Sequence, residues 1–292
     1  MGHQKNDTWL DNIEMPAHRQ ERLREILASI APGQKRIAIK KWHQILGELR
    51  SMTIAIPGAR GMFSLLQEAF RHNVDGRLRL NQGVHDTITD FRWLSDDIQR
   101  RPTRLHEIIP QSEPELLGAG DACGLGMGGV WFPMTDRLQP RKDIHTCDGA
   151  PPSTMDGAPL QLGTALPPLV WQAKFPQEIT ERLVTEANPT GDITNSHLEL
   201  AASLVQRDVT AQYFDVRERT IANGSDNTPT VAWRRKGSTT TTSAAAHLLR
   251  AQALHQRYHR YPATDFLIRL LDTSYAADDP HRVTLAVCHT PT

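Results

Sequence analysis

The stretch Leu116-Leu117-Gly118-Ala119-Gly120-Asp121-Ala122-Cys123-Gly124-Leu125-Gly126-Met127-Gly128-Gly129-Val130-Trp131-Phe132 constrains this chain more than any other. A short apolar run ends in a single carboxylate, a glycine-rich turn follows, and a second apolar run begins. This predicts a β-hairpin whose first strand carries Asp121, with Leu117 and Ala119 on the same face by the two-residue period of a strand. The glycines permit a tight turn and close approach of other backbone. The stretch is not a dinucleotide-binding fingerprint, because no helical pattern opens directly after Gly118 to Gly124.

A chain of 292 residues is long enough for two domains, each with its own core. Lys plus Arg balance Asp plus Glu at 33 each, so the formal net charge is zero. That excludes a chain-wide basic field for nucleic acid and leaves room for local basic patches. No apolar run reaches membrane-spanning length, and Met1 to Asp11 is polar rather than signal-like. The three cysteines, Cys123, Cys147 and Cys288, lie far apart and include no Cys-x-x-Cys, so neither a zinc knuckle nor a disulfide framework is indicated. These features predict a soluble intracellular protein.

The first part of the chain reads as helical. Leu23, Ile26, Leu27 and Ile30 have helical spacing, and Ala31-Pro32-Gly33 ends that run. Trp42, Ile45, Leu46 and Leu49 fall at i, i+3, i+4 and i+7. After Pro57-Gly58 the pattern returns in Met62, Leu65, Leu66, Ala69 and Phe70, and again in Val84, Ile88, Phe91, Leu94 and Ile98. The expectation is a small α-helical bundle over residues 1–105, closed by Arg100-Arg101-Pro102 and followed by a second domain over 106–292. The bundle holds no phosphate loop, metal cluster or catalytic constellation. Arg50, Arg60 and Arg71 are its candidates for contact with a nucleic-acid backbone.

From about Pro110 the texture changes to strands. The hairpin runs to Phe132, and Pro133 to Pro168 is a long loop rich in Pro, Gly, Asp and Thr. Leu169-Val170-Trp171 resumes a strand. Leu198, Ala201, Ala202, Val205 and Val209 predict a helix starting after Asn195-Ser196. Arg219 to Ala222 reads as a short strand ending at Ser225-Asp226-Asn227, and Pro229 opens a helical turn through Trp233. The basic Arg234-Arg235-Lys236 follows, then a helix over Ala244 to Tyr261, a strand at Phe266 to Ile268, and a last helix from Ala276 to Pro280.

Four acids sit where strands end or helices begin: Asp121, Glu199, Asp226 and Asp278. An α/β sheet brings such ends to one rim. Clustered carboxylates repel and desolvate badly, and a divalent cation relieves both costs. Oxygen ligands without His or Cys favour magnesium or manganese over zinc. Two such ions roughly 3.5–4 Å apart can activate water against a phosphodiester. Each acid also has a structural reading. Ser196 to Glu199 fits a capping box, Asp226-Asn227 before Pro229 and Asp279 before Pro280 resemble N-caps, and Asp121 fits a turn.

The series resembles the ribonuclease H domain of retroelement reverse transcriptases, of the DIRS or gypsy type. Asp121 lies in Gly-Ala-Gly-Asp-Ala-Cys-Gly, Glu199 in Asn-Ser-His-Leu-Glu-Leu-Ala-Ala, Asp226 in Ser-Asp-Asn-Thr-Pro-Thr-Val-Ala-Trp, and Asp278 in Ala-Asp-Asp-Pro-His-Arg. The resemblance covers about residues 110–285. Upstream, Lys41 to Arg50 and Ala55 to Gly61 look like the helical thumb or connection segment between a polymerase palm and this nuclease. There is no Tyr-x-Asp-Asp turn, hence no palm in the sequence. The segment Leu270 to Ser274 lacks both the turn usual before the last acid and a histidine that some family members carry.

The resemblance implies a ribonuclease H-like mixed five-stranded sheet with flanking helices. It implies a metal-dependent endonuclease hydrolysing the RNA strand of RNA–DNA hybrids with two magnesium or manganese ions on Asp121, Glu199, Asp226 and Asp278. Its partners would be the hybrid and a polymerase palm of the same polyprotein. Arg234, Arg235 and Lys236 would suit backbone phosphates. The alternatives are a catalytically inactive nucleic-acid-binding remnant and a structural subunit. Asp279 competes with Asp278 as the fourth carboxylate. His255 and His259, four apart on one helix, read as a basic helix face or as a metal pair lacking a third ligand.

Overall fold

A computed structural model describes residues 12–110, 113–135, 137–138, 166–239 and 243–268. In chain order the elements are β1 (Asn12–Ile13), α1 (Ala17–Ala28), β2 (Arg36–Ala38), α2 (Ile39–Met52), α3 (Phe63–Glu68), β3 (Asn73–Val74), β4 (Arg77–Arg79), α4 (Gln82–Arg100) and β5 (Thr103–Arg104). There follow β6 (Leu116–Cys123), β7 (Gly126–Pro133), β8 (Leu169–Lys174), α5 (Gln177–Thr180), α6 (Asn195–Tyr213), β9 (Ile221–Ser225), α7 (Thr228–Lys236), α8 (Ser243–His259) and β10 (Ala263–Leu267). Among the described residues, no helix is long and apolar enough to cross a membrane. The described residues fall into two compact units, one within Met1–Gln111 and Lys236–Pro262, the other within Ser112–Arg235 and Ala263–Thr292.

The first unit is helical around one core. Trp42, Ile45, Leu46, Leu49 and Met52 of α2 are buried with Val84, Ile88, Phe91, Leu94 and Ile98 of α4, as the apolar spacing predicts. Trp42 Nε1 donates to Leu66 O at 3.2 Å, so its one polar atom is satisfied in the core. Asn81 caps α4 by accepting from Val84 N at 3.0 Å.

The unit is not purely helical. Strands β2, β4 and β3 form a small antiparallel sheet, and β1 pairs with β5. Runs of two or three residues are too short to show a two-residue period, which is why the sequence pattern passes over them. The unit also takes in α8 from far along the chain. Gly61, in the 3-10 segment Ala59–Met62, lets that helix close in, since a Cβ there would lie 2.5 Å from Leu249 O. Arg257 of α8 is buried, donating to Asp97 Oδ2 at 2.8 Å and to Thr103 Oγ1 at 2.9 Å, and lying 3.3 Å from Glu107 Oε2.

The second unit is built on a five-stranded mixed sheet of order β10-β9-β6-β7-β8. β6, β7 and β8 form an antiparallel meander, while β9 runs parallel to β6 and β10 parallel to β9. With α6 packed on β6 and β7, this is the ribonuclease H-like arrangement. The hairpin turns at Gly124-Leu125, with Cys123 opposite Gly126. Its glycines make room. Gly118 sits opposite Trp131, where a Cβ would meet the indole ring, and a Cβ on Gly129 would lie 2.7 Å from Ala119 O. Small residues in the central strands thus admit one large buried ring and one helix. The strands drawn from sequence at Arg219 to Ala222 and Phe266 to Ile268 lie at Ile221–Ser225 and Ala263–Leu267. Residues 139–165, the middle of the expected loop, lie outside the described residues, as do Cys147 and Cys288.

Candidate metal centre

Three of the expected acids meet at one rim of the second unit. Asp121 stands near the end of β6, Asp226 directly follows β9, and Glu199 lies in the second turn of α6. The parallel register pairs Ala119 with Gly224, so two residues onward it brings Asp121 level with Asp226. Asp121, Glu199 and Asp226 each offer an oxygen within 4.8 Å of the others. This is the carboxyl end of parallel strands, where open α/β sheets place their sites.

Local structure frees these acids from the capping roles open to them in the sequence. Thr194, not Ser196, caps α6, and its partner at the third position is His197, whose Nδ1 accepts from Thr194 N at 2.9 Å. Glu199 is therefore outside the capping box and faces the sheet, with Leu198 and Ala202 packed against Ala122. At α7 the cap is Asn227, whose Oδ1 accepts from Thr230 N at 3.0 Å, and this leaves Asp226 free. The ring of His197 stacks on Trp233 of α7, centroids 5.9 Å apart, tying the starts of the two helices together.

The electrostatics follow from this crowding. Glu199 is 3 % exposed. Burial pushes its carboxyl up to about 9, helped by the hydrogen bond its protonated form donates to Asp121 and by the charge of that neighbour, against the stabilising Ala122 N–H. Burial and then the Asp121 charge push Asp226 upward as well. Burial lowers His197, opposed by Asp192. Glu199 Oε2 is buried and meets no hydrogen-bond donor among the described residues. An undonated carboxylate oxygen among two other carboxylates, with no His or Cys in the set, fits a hard divalent cation.

A polar floor behind the three acids was not picked out from the sequence. Gln206, two turns beyond Glu199, donates from Nε2 to Ala119 O at 3.2 Å and Val130 O at 3.0 Å, while Trp131 Nε1 donates to its carbonyl at 2.8 Å. Trp171 Nε1 also donates to Gln206 Oε1. Ser203 accepts from Asn223 Nδ2 at 2.9 Å and from Arg234. The signal was present: Glu199, Ser203, Gln206 and Thr210 are polar residues at helical spacing on the face that must meet the sheet.

The basic run divides. Arg234 is buried and paired with Asp265 of β10, which also accepts from Arg207 at 2.6 Å. Its guanidinium therefore faces the interior, because the carboxylate and Ser203 lie on that side of α7. Arg235 is exposed, with Nε donating to Asp265 O at 2.8 Å, and Lys236 is exposed. His255 and His259 stack at 4.4 Å, and His255 Nδ1 lies 2.9 Å from the Tyr261 hydroxyl. Arg50 lies over the Phe63 ring at 5.6 Å. Asp278 and Asp279 lie outside the described residues.

No protein-family model matches the chain, and no curated protein matches it. Solved structures do match in part. A foamy viral protease-reverse transcriptase in complex with an RNA/DNA hybrid aligns at TM-score 0.28 and 8 % identity, over 95 % of this chain and 30 % of that one. The same protein in complex with dsDNA aligns at 0.28 and 8 % over 88 % and 42 %. Its dRH form with dsDNA aligns at 0.27 and 8 % over 88 % and 36 %. The chain thus spans 30 to 42 % of the length of these three structures.

Proposed function

We propose that Asp121, Glu199 and Asp226 hold two divalent cations, magnesium or manganese. On this reading the chain is a ribonuclease H-type endonuclease that cuts the RNA strand of RNA–DNA hybrids and belongs to a retroelement polyprotein. The observation that carries this is the meeting of three carboxylates within 4.8 Å around a buried, undonated Glu199 oxygen. When bound, the ions supply an acidified water and charge stabilisation at the phosphodiester oxygens. The protein's own groups hold and orient. Ala122 N–H fixes Asp121 Oδ1, leaving the carboxylate's remaining lone pairs for a ligand. Glu199 keeps its proton until a cation takes its place. Asp226, exposed just past the end of β9, is the most accessible of the three acids to an arriving substrate. The sequence motif makes Asp278 the proposed fourth ligand, and Arg235 with Lys236 the proposed phosphate contacts. The first unit is read as a thumb or connection segment serving a palm domain.

The test is cleavage of an RNA-labelled hybrid by the full chain with and without magnesium, beside Asp121→Asn. Metal-dependent cutting of the RNA strand, lost in the variant, is expected. A hybrid that binds yet stays intact at every metal concentration would overturn the catalytic reading and leave a binding remnant.

A further inference from the structure

We propose that the solvent face of β2 and β4 in the first unit docks the sugar-phosphate backbone of a nucleic acid. Arg36, Arg77 and Arg79 are exposed, alternating with the buried Ile37 and Leu78. The antiparallel register sets Arg36 opposite Arg79, and Ala38 opposite Arg77, so all three arginines stand on one face. Like charges directly opposite each other destabilise a sheet. Here no carboxylate offsets them: among the described residues, none of the three guanidiniums has an ion pair or side-chain hydrogen bond. The nearest acid along the chain is Asp75, at the turn before β4. Lys35 extends the patch at one end, and Lys40 and Lys41 are exposed in the first turn of α2, where the helix dipole opposes cations.

In a chain of zero net charge, such a concentration calls for a counter-charge from outside. Arg77 and Arg79, two residues apart on a strand, are separated by about 6.8 Å, comparable with successive phosphates along one nucleic-acid strand. The planar fork of arginine suits phosphate oxygens. The inference rests on the nuclease reading only for the choice of nucleic acid among polyanions.

The test is the salt dependence of hybrid binding by the full chain in chelator, followed by fluorescence anisotropy. The wild type is compared with the triple variant Arg36→Gln, Arg77→Gln, Arg79→Gln and with the triple lysine variant. Loss of three phosphate contacts should reduce the log–log salt slope by about 2.7, with lysine retaining most of it. Arg79→Gln alone, expected to lower the slope by about 0.9, serves if the triple variant does not fold. An unchanged slope overturns the proposal, as does a variant that loses binding to polyglutamate but not to hybrid. Cleavage at saturating protein with magnesium is read separately. Absent cleavage sinks the nuclease reading without touching this surface, and intact cleavage with an unchanged slope does the reverse.

Discussion

Glu199 and Asp121 draw on a single donor: the Ala122 N–H meets Asp121 Oδ1 at 2.8 Å and Glu199 Oε1 at 3.3 Å. One amide proton cannot hold two adjacent negative charges, one of them buried, so Glu199 retains a proton that an isolated carboxylate would release. A cation and that proton are alternatives for the same place.

This fixes the sign of a pH dependence. The folded state keeps the Glu199 proton to about 9, whereas an unperturbed glutamate releases it near 4.5. Between those values the folded form binds the extra proton, so stability of the metal-free protein falls as pH rises through the interval. The upward shift of Asp226 acts in the same direction. Thermal melts in chelator should show the decline, Glu199→Gln should flatten it, and added magnesium should restore stability at the alkaline end. A flat wild-type profile would remove the coupling.

Asp265 pairs with both Arg207 and Arg234, and all three side chains are buried. Asp265→Asn would remove the carboxylate that two buried guanidiniums share and should cost about 3–5 kcal/mol in urea denaturation. The exposed pair Arg182–Asp192 offers the control, where Asp192→Asn should leave the curve unmoved. Equal effects from the two variants would contradict the burial argument.

His197→Ala removes the acceptor for Thr194 N and the stack on Trp233. The expected loss is about 1 kcal/mol of stability, the scale of a helix cap. Because Glu199 lies two residues further along α6, hybrid cleavage should fall more than the small loss of folded protein explains. Unaltered cleavage would confine His197 to capping.

Gly61→Ala would press a methyl group onto Leu249 O, 2.5 Å from the Cβ position. Backbone on both sides leaves little to yield, so overpacking of about 1–3 kcal/mol is expected, read by denaturation of the full chain. Gly47→Ala, with open space at its Cβ, should show no such cost. If both behaved alike, close approach of α8 would not be what this glycine serves.

Much of the architecture was legible in the sequence because its cause is local. The helices carrying Trp42 and Phe91 follow from apolar spacing, and the hairpin from alternation around a glycine turn. From Leu116 to Leu267 the order of strands and helices follows from the same patterns apart from the one-turn α5, while the helix expected from Ala276 to Pro280 lies outside the described residues. The acids could be named, since Asp121, Glu199 and Asp226 each sit at an element boundary. Their capping alternatives could not be dismissed, because Ser196-x-x-Glu199 satisfies the capping rule as well as Thr194-x-x-His197 does.

What only the tertiary structure decided depends on partners distant in the chain. Arg234 reads as surface charge until Asp265 and Ser203 arrive from β10 and α6 to bury it. Helix α8 reads as part of the second half until Gly61 and Asp97 claim it for the first unit. The facing arginines of β2 and β4 become a patch only through a register between strands too short to announce themselves. Local periodicity sets which face of an element is apolar. Which long-range charge, glycine gap or strand meets that face is settled by packing, where burial makes an unpaired charge too costly to leave alone.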